Sequence, residues 1–250
     1  MSKRDRSFAV KDKGRPVGAA SCAALPRNFR SRLLEGLTPS EIGAVLAVAR
    51  QQRISPNEVL QHEGDIASHL SLVVTGLAAF YKTTPDGRKL FLRWIAPGDA
   101  FGLAALLQIQ HPQIITIQAM HRGCLFVWDR VSAHALASQI PRLRENSYTI
   151  ANDYLVSLAD ALTARASQTA QQRIARVLVG SVCQAGRAGR KGIELALTNE
   201  QLAQMADVSL FTVSRQLSEW QSQGILAKSR GKIVLRAPKR LGAGMPNACS

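Results

Sequence analysis

The chain has 250 residues, which is enough for one large domain or two modest ones, each with its own hydrophobic core. Apolar residues make up 46% of the sequence, yet no apolar run approaches the roughly 20 residues that a membrane-spanning helix needs, so no membrane partner is expected. Lysine and arginine number 32 against 17 aspartates and glutamates. The resulting net charge of +15 favours a polyanionic partner, although charge alone does not distinguish DNA from RNA.

The start of the chain is charged and lacks the compact apolar stretch of a secretory signal, so we expect a cytoplasmic protein. Residues 1–25 are basic, and we expect a flexible tail that either aids solubility or adds nonspecific affinity for DNA. The four cysteines, Cys22, Cys124, Cys183 and Cys249, form no C-x-x-C pair, so no metal site is expected. Their thiols are predicted to be buried or incidental, with redox sensing at Cys183 as the alternative.

After the tail, the sequence predicts one short helix and then a β domain. Thr38 can cap a helix over residues 38–50, with Pro39 at its first position. Glycine-containing turns, among them Thr75–Gly76 and Arg122–Gly123, separate short segments rich in β-branched and aromatic residues. Their regular spacing without intervening helices indicates an antiparallel sandwich or barrel. The predicted strands lie near residues 54–60, 70–74, 77–83, 89–95, 114–119 and 124–128.

From residue 129 onward the pattern becomes helical. One helix is expected from Asp129 to Ile140, where Pro141 stops it. A second helix is expected from Arg142 to about Ala166, and its stripe of apolar residues either packs on the β domain or pairs two chains. The length and narrowness of the stripe favour pairing. Its residues are spaced alternately three and four apart: Tyr148, Ala151, Leu155, Leu158 and Leu162.

The C-terminal part carries the pattern of a winged helix-turn-helix. Thr198 and Gln201 form a capping box that starts a short helix, and an interruption at residues 207–209 allows Ser209 to cap a second helix. The segment 225–235 alternates about a tight turn, as a β-hairpin does. Helix, tight turn, helix and basic hairpin together make a fold that places its second helix in the major groove of DNA.

Polar side chains on the outer face of the second helix and on the hairpin are predicted to contact DNA. Arg215 is suited to grip a guanine through two parallel hydrogen bonds, and the basic hairpin suits phosphate groups. Winged helices also serve in protein contacts, but the net charge and this hydroxyl-plus-arginine surface favour DNA. The predicted contact residues are Thr198, Ser209, Thr212, Ser214, Arg215, Ser218, Arg230 and Lys232.

The order of these parts, together with four short motifs, resembles the Crp/Fnr family of bacterial regulators. The motifs are Glu63-Gly64-Asp65, Val74-Thr75-Gly76, the run from Pro97 to Gly102, and Val213-Ser214-Arg215. The resemblance implies an α+β architecture, with an N-terminal antiparallel β-barrel of the cyclic-nucleotide-binding type (a double-stranded β-helix or jelly roll), a long dimerisation helix and a C-terminal winged helix-turn-helix. It also implies a homodimer on a two-fold symmetric double-stranded DNA operator, RNA polymerase as a further partner, and an effector that acts from the barrel.

The sequence departs from cyclic-AMP-binding members where they hold the nucleotide. Leu103 stands where those members carry a ribose-binding Glu, and Gln113-Ile114 stand where they carry an Arg-Ser pair for the cyclic phosphate. A buried cyclic phosphate without a cation is costly, so cyclic AMP is not expected as the effector. The corresponding pocket is predicted to be apolar and to consist of Phe101, Gly102, Leu103, Ala104, Leu106, Gln113, Ile114 and Leu158.

The sequence leaves the cofactor unknown. Iron–sulfur members of the family need a cysteine cluster, of which Cys22 and Cys124 would supply only two positions, so no such cluster is expected. The apolar pocket suits haem, a hydrophobic effector or a filled core. Haem is a candidate because the chain has five histidines, but no spacing singles one out as the iron ligand: His62, His69, His111, His121 and His134.

The second helix of the helix-turn-helix also departs from the family. Many members place a Glu ahead of the Ser-Arg pair, where this chain has Phe211, which cannot accept a hydrogen bond from cytosine. Phe211 either contacts a thymine methyl group or packs inward. We therefore expect an operator whose half-sites lie about one helical turn apart and whose sequence differs from the one common in the family.

The predicted function is a dimeric, sequence-specific transcription regulator, and the alternative is a ligand-sensing module that acts through a protein partner. No phosphate-binding loop, H-x-x-x-H pair or G-x-S-x-G motif points to an enzyme. The predicted parts are a tail over 1–25, an effector-sensing β-barrel over 26–140, a dimerisation helix over 141–166, a DNA-binding domain over 167–239 and a second tail over 240–250.

Overall fold

The computed structural model of the chain describes residues 25–26, 29–87, 89–229 and 231–241. The predictions for most of both tails, for Arg230 and for the Cys183 thiol fall outside these residues. Within the described ranges, no helix is both long and apolar enough to cross a membrane.

The N-terminal domain begins with a 3₁₀ turn, Arg32–Leu34, and the helix α1, Pro39–Ala47. Thr38 accepts a hydrogen bond from the Glu41 amide while the Glu41 carboxylate accepts from the Thr38 amide, which completes a capping box. The helix therefore starts where the sequence predicts and ends a few residues earlier than predicted.

Six antiparallel strands form the β domain, which confirms the predicted class of this half of the chain. In sequence order they are β1 (Arg50–Ile54), β2 (Val59–Gln61), β3 (His69–Thr83), β4 (Lys89–Ile95), β5 (Ala100–Phe101) and β6 (Thr116–Asp129). The sheet runs in the order β1-β6-β3-β4, with β2 paired to β6 and β5 paired to β3. Hydrogen bonding among these described strands follows an open path and does not close into a ring.

Two pairs of predicted strands are in fact two long strands. The segments 70–74 and 77–83 both belong to β3, and the segments 114–119 and 124–128 both fall within or against β6. The predicted turns between them are wrong. The chain continues in the strand direction there, and only the β3–β6 register shifts.

The reason is a pair of glycines, Gly76 and Gly123, that lie against each other across the β3–β6 ladder. Gly76 has a φ of +95°, and a Cβ added to it would lie 2.8 Å from the Gly123 Cα. A Cβ added to Gly123 would lie 2.0 Å from the Thr75 carbonyl oxygen. Glycines of this kind mark a bulge or a close approach of two backbones, so the strand bends without ending.

The predicted strand over 54–60 is also wrong, because residues 55–58 turn between β1 and β2. The Glu58 amide donates to the Ser55 carbonyl at 3.1 Å. Asn57 has a φ of +69°, which lies in the left-handed region that asparagine tolerates better than most residues.

Gly123→Ala is expected to lower the free energy of unfolding by about 3 kcal/mol, because the new methyl group would overlap the Thr75 carbonyl inside a paired ladder. Gly43→Ala in α1 is the matched control. A Cβ at Gly43 meets nothing within 4 Å, and the change removes a helical glycine, so a gain of about 0.5–1 kcal/mol is expected. Urea unfolding followed by circular dichroism measures both, and an unchanged midpoint for Gly123→Ala would contradict the close approach.

Two helices follow the β domain as predicted. Asp129 caps α2 (Arg130–Gln139) by accepting a hydrogen bond from the Ser132 amide, and Pro141 starts α3 (Pro141–Ser167). On one side α3 buries Leu143 and Ile150 in the core of the N-terminal domain. The other side of this 27-residue helix stays exposed.

The C-terminal domain is a winged helix-turn-helix, as predicted. Its four strands pair antiparallel in the order seventh, eighth, tenth, ninth along the chain. A single buried cluster fills the space between its helices and strands and also includes Tyr81 and Trp94 of the β domain. Its elements are α4 (Ala170–Ala185), β7 (Arg187–Gly189), β8 (Gly192–Leu195), α5 (Asn199–Ala206), α6 (Leu210–Ser222), β9 (Leu226–Ser229) and β10 (Lys232–Leu235).

Candidate DNA-binding surface and effector cavity

Local hydrogen bonds fix the starts of α5 and α6. The Thr198 hydroxyl accepts from the Gln201 amide at 3.2 Å and so caps α5, and the Ser209 hydroxyl accepts from the Thr212 amide at 3.1 Å and so caps α6. Asp207, between the helices, has a φ of +52°. This left-handed residue ends α5 and redirects the chain.

The inner face of α6 is the predicted one, because Val213, Leu217 and Trp220 are all buried. They share a core with Leu202 and Met205 of α5. These three buried residues, spread over two turns, fix the rotation of α6 about its own axis. This rotation decides which residues face outward.

The outer face of α6 carries side chains that the sequence predicts to contact DNA. Ser214, Arg215 and Ser218 are exposed, whereas Thr212 is half-buried with its hydroxyl 2.8 Å from that of Ser209. Within the part of the chain that the structure describes, Arg215 has neither a hydrogen-bond acceptor nor an ion-pair partner. Its guanidinium is therefore available to an external acceptor.

The wing formed by β9 and β10 lies beside this face. Lys228 Nζ donates to the Ser218 hydroxyl at 2.9 Å, which links the wing to the middle of α6. Lys232 Nζ lies 3.3 Å from a carboxylate oxygen of Glu194 on β8, and both side chains remain about half exposed. An exposed ion pair of this kind is weak, so Lys232 can exchange Glu194 for another anion at little cost.

The stripe predicted on α3 faces solvent. Tyr148, Leu155 and Leu162 are 62%, 64% and 58% exposed, and Ala151 and Leu158 beside them are partly buried. Large apolar side chains that line one face of a helix and remain mostly exposed are typical of an interface.

A cavity of about 280 Å³ lies between the β domain and α3. The structure places six of the predicted pocket residues around it: Gly102, Leu103, Ala104, Gln113, Ile114 and Leu158. Phe101 and Leu106 do not line it, because Phe101 is buried in the β-domain core and Leu106 packs against the cluster beneath α1. The remaining lining, which the sequence analysis missed, is Gln61, Phe80, Leu92, Arg93, Ile115, Ile117, Ala151, Tyr154, Leu155 and Ser157.

Arg93 is the cation that the sequence analysis did not assign to this pocket. Its guanidinium carbon lies 4.4 Å from the centre of the Tyr154 ring, and its Nη2 lies 3.6 Å from the Asp99 carboxylate. Its Nε also donates to the Trp94 carbonyl at 3.1 Å. Burial raises the pKa of the Asp99 carboxyl, and the charge of Arg93 opposes that shift. The Arg93 guanidinium is thus already bound by Asp99, Tyr154 and the Trp94 carbonyl.

The described lining fits neither a cyclic phosphate nor haem well. A cyclic phosphate would have to displace Asp99 from Arg93, which would leave the Asp99 carboxylate with the Ala96 amide but without the Arg93 charge. Among the described residues, the lining offers no His, Cys or Met as an axial haem ligand, and the Tyr154 hydroxyl already donates to the Ala100 carbonyl. Cys124 lies buried in β6, and the other cysteine thiols fall outside the described residues.

The C-terminal end of α3 contacts both domains. Arg165 Nη2 donates to the Phe91 carbonyl of β4 at 2.8 Å, and its Nε lies 3.9 Å from the Asp207 carboxylate in the turn before α6. Arg173 Nε donates to the Ala206 carbonyl at 2.9 Å. Burial lowers the pKa of Arg165, with Asp207 opposing the shift. Through Arg165, these contacts connect the helix-turn-helix to β4, the strand that contributes Leu92 and Arg93 to the cavity lining.

Comparisons with known proteins agree with this architecture. The cyclic nucleotide-binding domain matches residues 51–139, and the Crp-like helix-turn-helix domain matches residues 172–243. The chain is 24% identical over 206 residues to the cyclic AMP receptor protein of Thermus thermophilus, across 82% of this chain and 93% of that protein. It is 24% identical over 214 residues to the transcriptional activatory protein AadR of Rhodopseudomonas palustris, across 83% of this chain and 86% of that protein.

Among solved structures, FixK2 from Bradyrhizobium japonicum superposes with a TM-score of 0.66 at 26% identity, over 78% of this chain and 96% of that one. The two matched domains occur in the order that the fold shows, on either side of the long helix α3. The chain therefore belongs to the Crp/Fnr family of transcriptional regulators, with a cyclic nucleotide-binding domain followed by a Crp-like DNA-binding helix-turn-helix.

Proposed function

We propose that two copies of the chain bind a two-fold symmetric operator, each placing α6 in the major groove of one half-site. The observation that supports this most strongly is the exposed guanidinium of Arg215, which stands without a partner among the described residues on a helix fixed by three buried anchors. A bidentate contact from arginine to guanine is the commonest specific contact in the major groove. Arg215 is assigned to the base, with Ser214 and Ser218 beside it.

The remaining polar residues of the surface are assigned to the DNA backbone. Thr198, Ser209 and Thr212 lie at the first turns of α5 and α6, where backbone amides and hydroxyls favour a phosphate. Arg230 and Lys232 of the wing are assigned to phosphates of the adjacent groove. Phosphate contacts set the position of α6 on the duplex and carry no base preference of their own.

The proposed dimer interface is the apolar stripe of α3, formed by Tyr148, Ala151, Leu155, Leu158 and Leu162. Three of these residues are more than half exposed in the single chain. In each chain α3 leads into the DNA-binding domain. Pairing of the two α3 helices would therefore set the distance between the two copies of α6. Half-sites about one helical turn apart follow from such a geometry.

The proposed effector is a small, uncharged and largely apolar molecule in the cavity between the β domain and α3. Two observations support such a molecule over cyclic AMP. The lining is largely apolar, and Arg93 already interacts with Asp99 and Tyr154. Leu155 and Leu158 contribute both to the cavity and to the α3 stripe. An occupant would therefore act on the packing of α3, and through Arg165 on the helix-turn-helix.

Isothermal titration with cyclic AMP is expected to give no saturable heat, for the wild type and for Arg93→Gln alike. The reason is that Arg93, the one cation among the described residues that line the cavity, is already paired with Asp99. A micromolar dissociation constant that is lost in Arg93→Gln would contradict the assignment. An absorption spectrum of protein purified under low oxygen provides the matching test for haem, and we expect no haem band.

The proposed activity is regulatory and not catalytic, exerted in the cytoplasm through contact with RNA polymerase. The test is a gel shift with duplexes from upstream of the chain's own gene, at increasing salt. A shifted complex supports binding through phosphates if the logarithm of its binding constant falls linearly with the logarithm of the salt concentration. No shift at low ionic strength would refute the proposed function and favour a protein partner.

A further inference from the structure

The first turn of α6 exposes two large apolar side chains on a strongly basic protein. Leu210 is 47% exposed and Phe211 is 75% exposed. Both lie directly after the capping residue Ser209, at the end of the helix that enters the groove first in proteins of this architecture. An apolar ring that is three-quarters exposed to water contributes little to the stability of the fold.

Phe211 does not pack inward. The inner face of α6 is already filled by Val213, Leu217 and Trp220, which are buried. Of the two alternatives that the sequence leaves open for Phe211, only contact with an external group agrees with its exposure.

The position of Phe211 on the helix places it next to the residue assigned to guanine. Residues four apart lie on the same face of a helix, so Phe211 is one turn before Arg215. The two Cα atoms are separated by about 6 Å along the helix axis, and successive base pairs are separated by about 3.4 Å. A base contacted by Phe211 is therefore one or two base pairs from the guanine contacted by Arg215.

We infer that Phe211 is a specificity-determining residue that contacts the C5 methyl group of a thymine one or two base pairs from the Arg215 guanine. The thymine methyl is the apolar feature that base pairs display in the major groove, and phenylalanine is among the side chains that contact it. The inference rests on the proposed DNA-binding function and adds a base preference to it.

A protein partner fits this surface less well. Phe211 is flanked along the same face by Ser214, Arg215 and Ser218, and the lysines of the wing lie beside them. An apolar protein surface large enough to cover Phe211 would also bury the guanidinium of Arg215, which has no hydrogen-bond or ion-pair partner among the described residues, at considerable cost. A major groove accepts the ring and the guanidinium together.

The experiment starts from operators selected by the full-length wild-type protein from random duplexes. Each thymine of the selected half-site is then replaced by uracil, which removes only the methyl group, and the dissociation constant is measured by fluorescence anisotropy. We expect one thymine, one or two pairs from the Arg215-dependent guanine, whose replacement weakens wild-type binding by about fourfold per half-site, the effect of one buried methyl-sized group.

Phe211→Ala binds thymine and uracil duplexes equally if the inference is correct, whereas the matched control Leu210→Ala keeps the preference for thymine. Both side chains are exposed, so both variants are expected to fold, and circular dichroism checks this. Equal sensitivity to uracil in Phe211→Ala and wild type, or no sensitivity in either, overturns the inference while the proposed function stands. Failure of the wild type to select any duplex overturns the proposed function itself.

Discussion

Arg215→Ala is expected to abolish specific operator binding while leaving the dimer intact. Each bidentate contact to guanine contributes about 1–3 kcal/mol, and a dimer loses two of them, so affinity falls by about 30-fold or more. Because Arg215 is exposed and has no hydrogen-bond or ion-pair partner among the described residues, its removal is expected to leave the core of α6 unchanged. Fluorescence anisotropy with the selected operator and with a scrambled duplex measures the loss of specificity.

Arg122→Ala is the matched control for this prediction. Arg122 is an exposed arginine of β6 in the other domain, so its removal subtracts the same charge from the protein far from α6. Operator affinity is expected to change little in this variant. Lys232→Ala is expected to weaken operator and scrambled duplex by the same factor, as loss of a phosphate contact does. If Arg215→Ala bound the operator like the wild type, α6 would not be the helix that contacts the bases.

Leu162→Asp is expected to convert the dimer into a monomer of 27.1 kDa. Leu162 is 58% exposed in the single chain and lies on the α3 stripe, and an aspartate there would be buried without a partner in each of the two copies. Two such groups at about 2 kcal/mol each raise the dissociation constant of the dimer by about a thousandfold. Sedimentation equilibrium measures this constant directly, and operator binding is expected to fall with it.

Val131→Asp is the control for this second variant. Val131 is an exposed apolar residue of α2, outside the α3 stripe, and it accepts the same change without loss of pairing. Leu162 is not among the residues that line the effector cavity, and it does not take part in the contacts given for Arg165. A defect in Leu162→Asp therefore reports on pairing and not on the effector. A dimer of wild-type stability in Leu162→Asp would place the interface elsewhere.

The helices could be predicted from the sequence because their ends are encoded locally. Thr38, Asp129, Thr198 and Ser209 each accept a hydrogen bond from an amide of the first turn, and each was identifiable by its residue type and its spacing from the apolar face. The helix α4 and the hairpin of β7 and β8 were not identified, although the capping box of Thr169 and Gln172 marks the start of α4.

The strands were predicted less well because glycine has two structural roles. Gly76 and Gly123 were taken for turns, but they permit the close approach of β3 and β6. The local sequence shows the glycine but does not show which backbone approaches it in the fold. A bulge and a turn therefore give the same sequence signal.

The cavity shows the same limit for side chains. Gly102, Leu103 and Ala104 could be assigned to the cavity from the Pro97–Gly102 motif, because Gly102 ends this motif and the other two follow it directly. Arg93 and Tyr154 could not, because they lie on β4 and α3 and meet only through the tertiary fold. Hence the sequence predicted a cavity without a cation, and the structure adds a cation that is held by Asp99 and Tyr154.

Methylation interference on the selected operator tests the central proposal most directly. Methylation at N7 of guanine blocks the acceptor to which Arg215 is assigned. We expect one guanine in each half-site at which methylation prevents binding, the two related by the operator's two-fold axis and about one helical turn apart. Interference at neither half-site, or in only one, would contradict a paired chain that presents Arg215 to both.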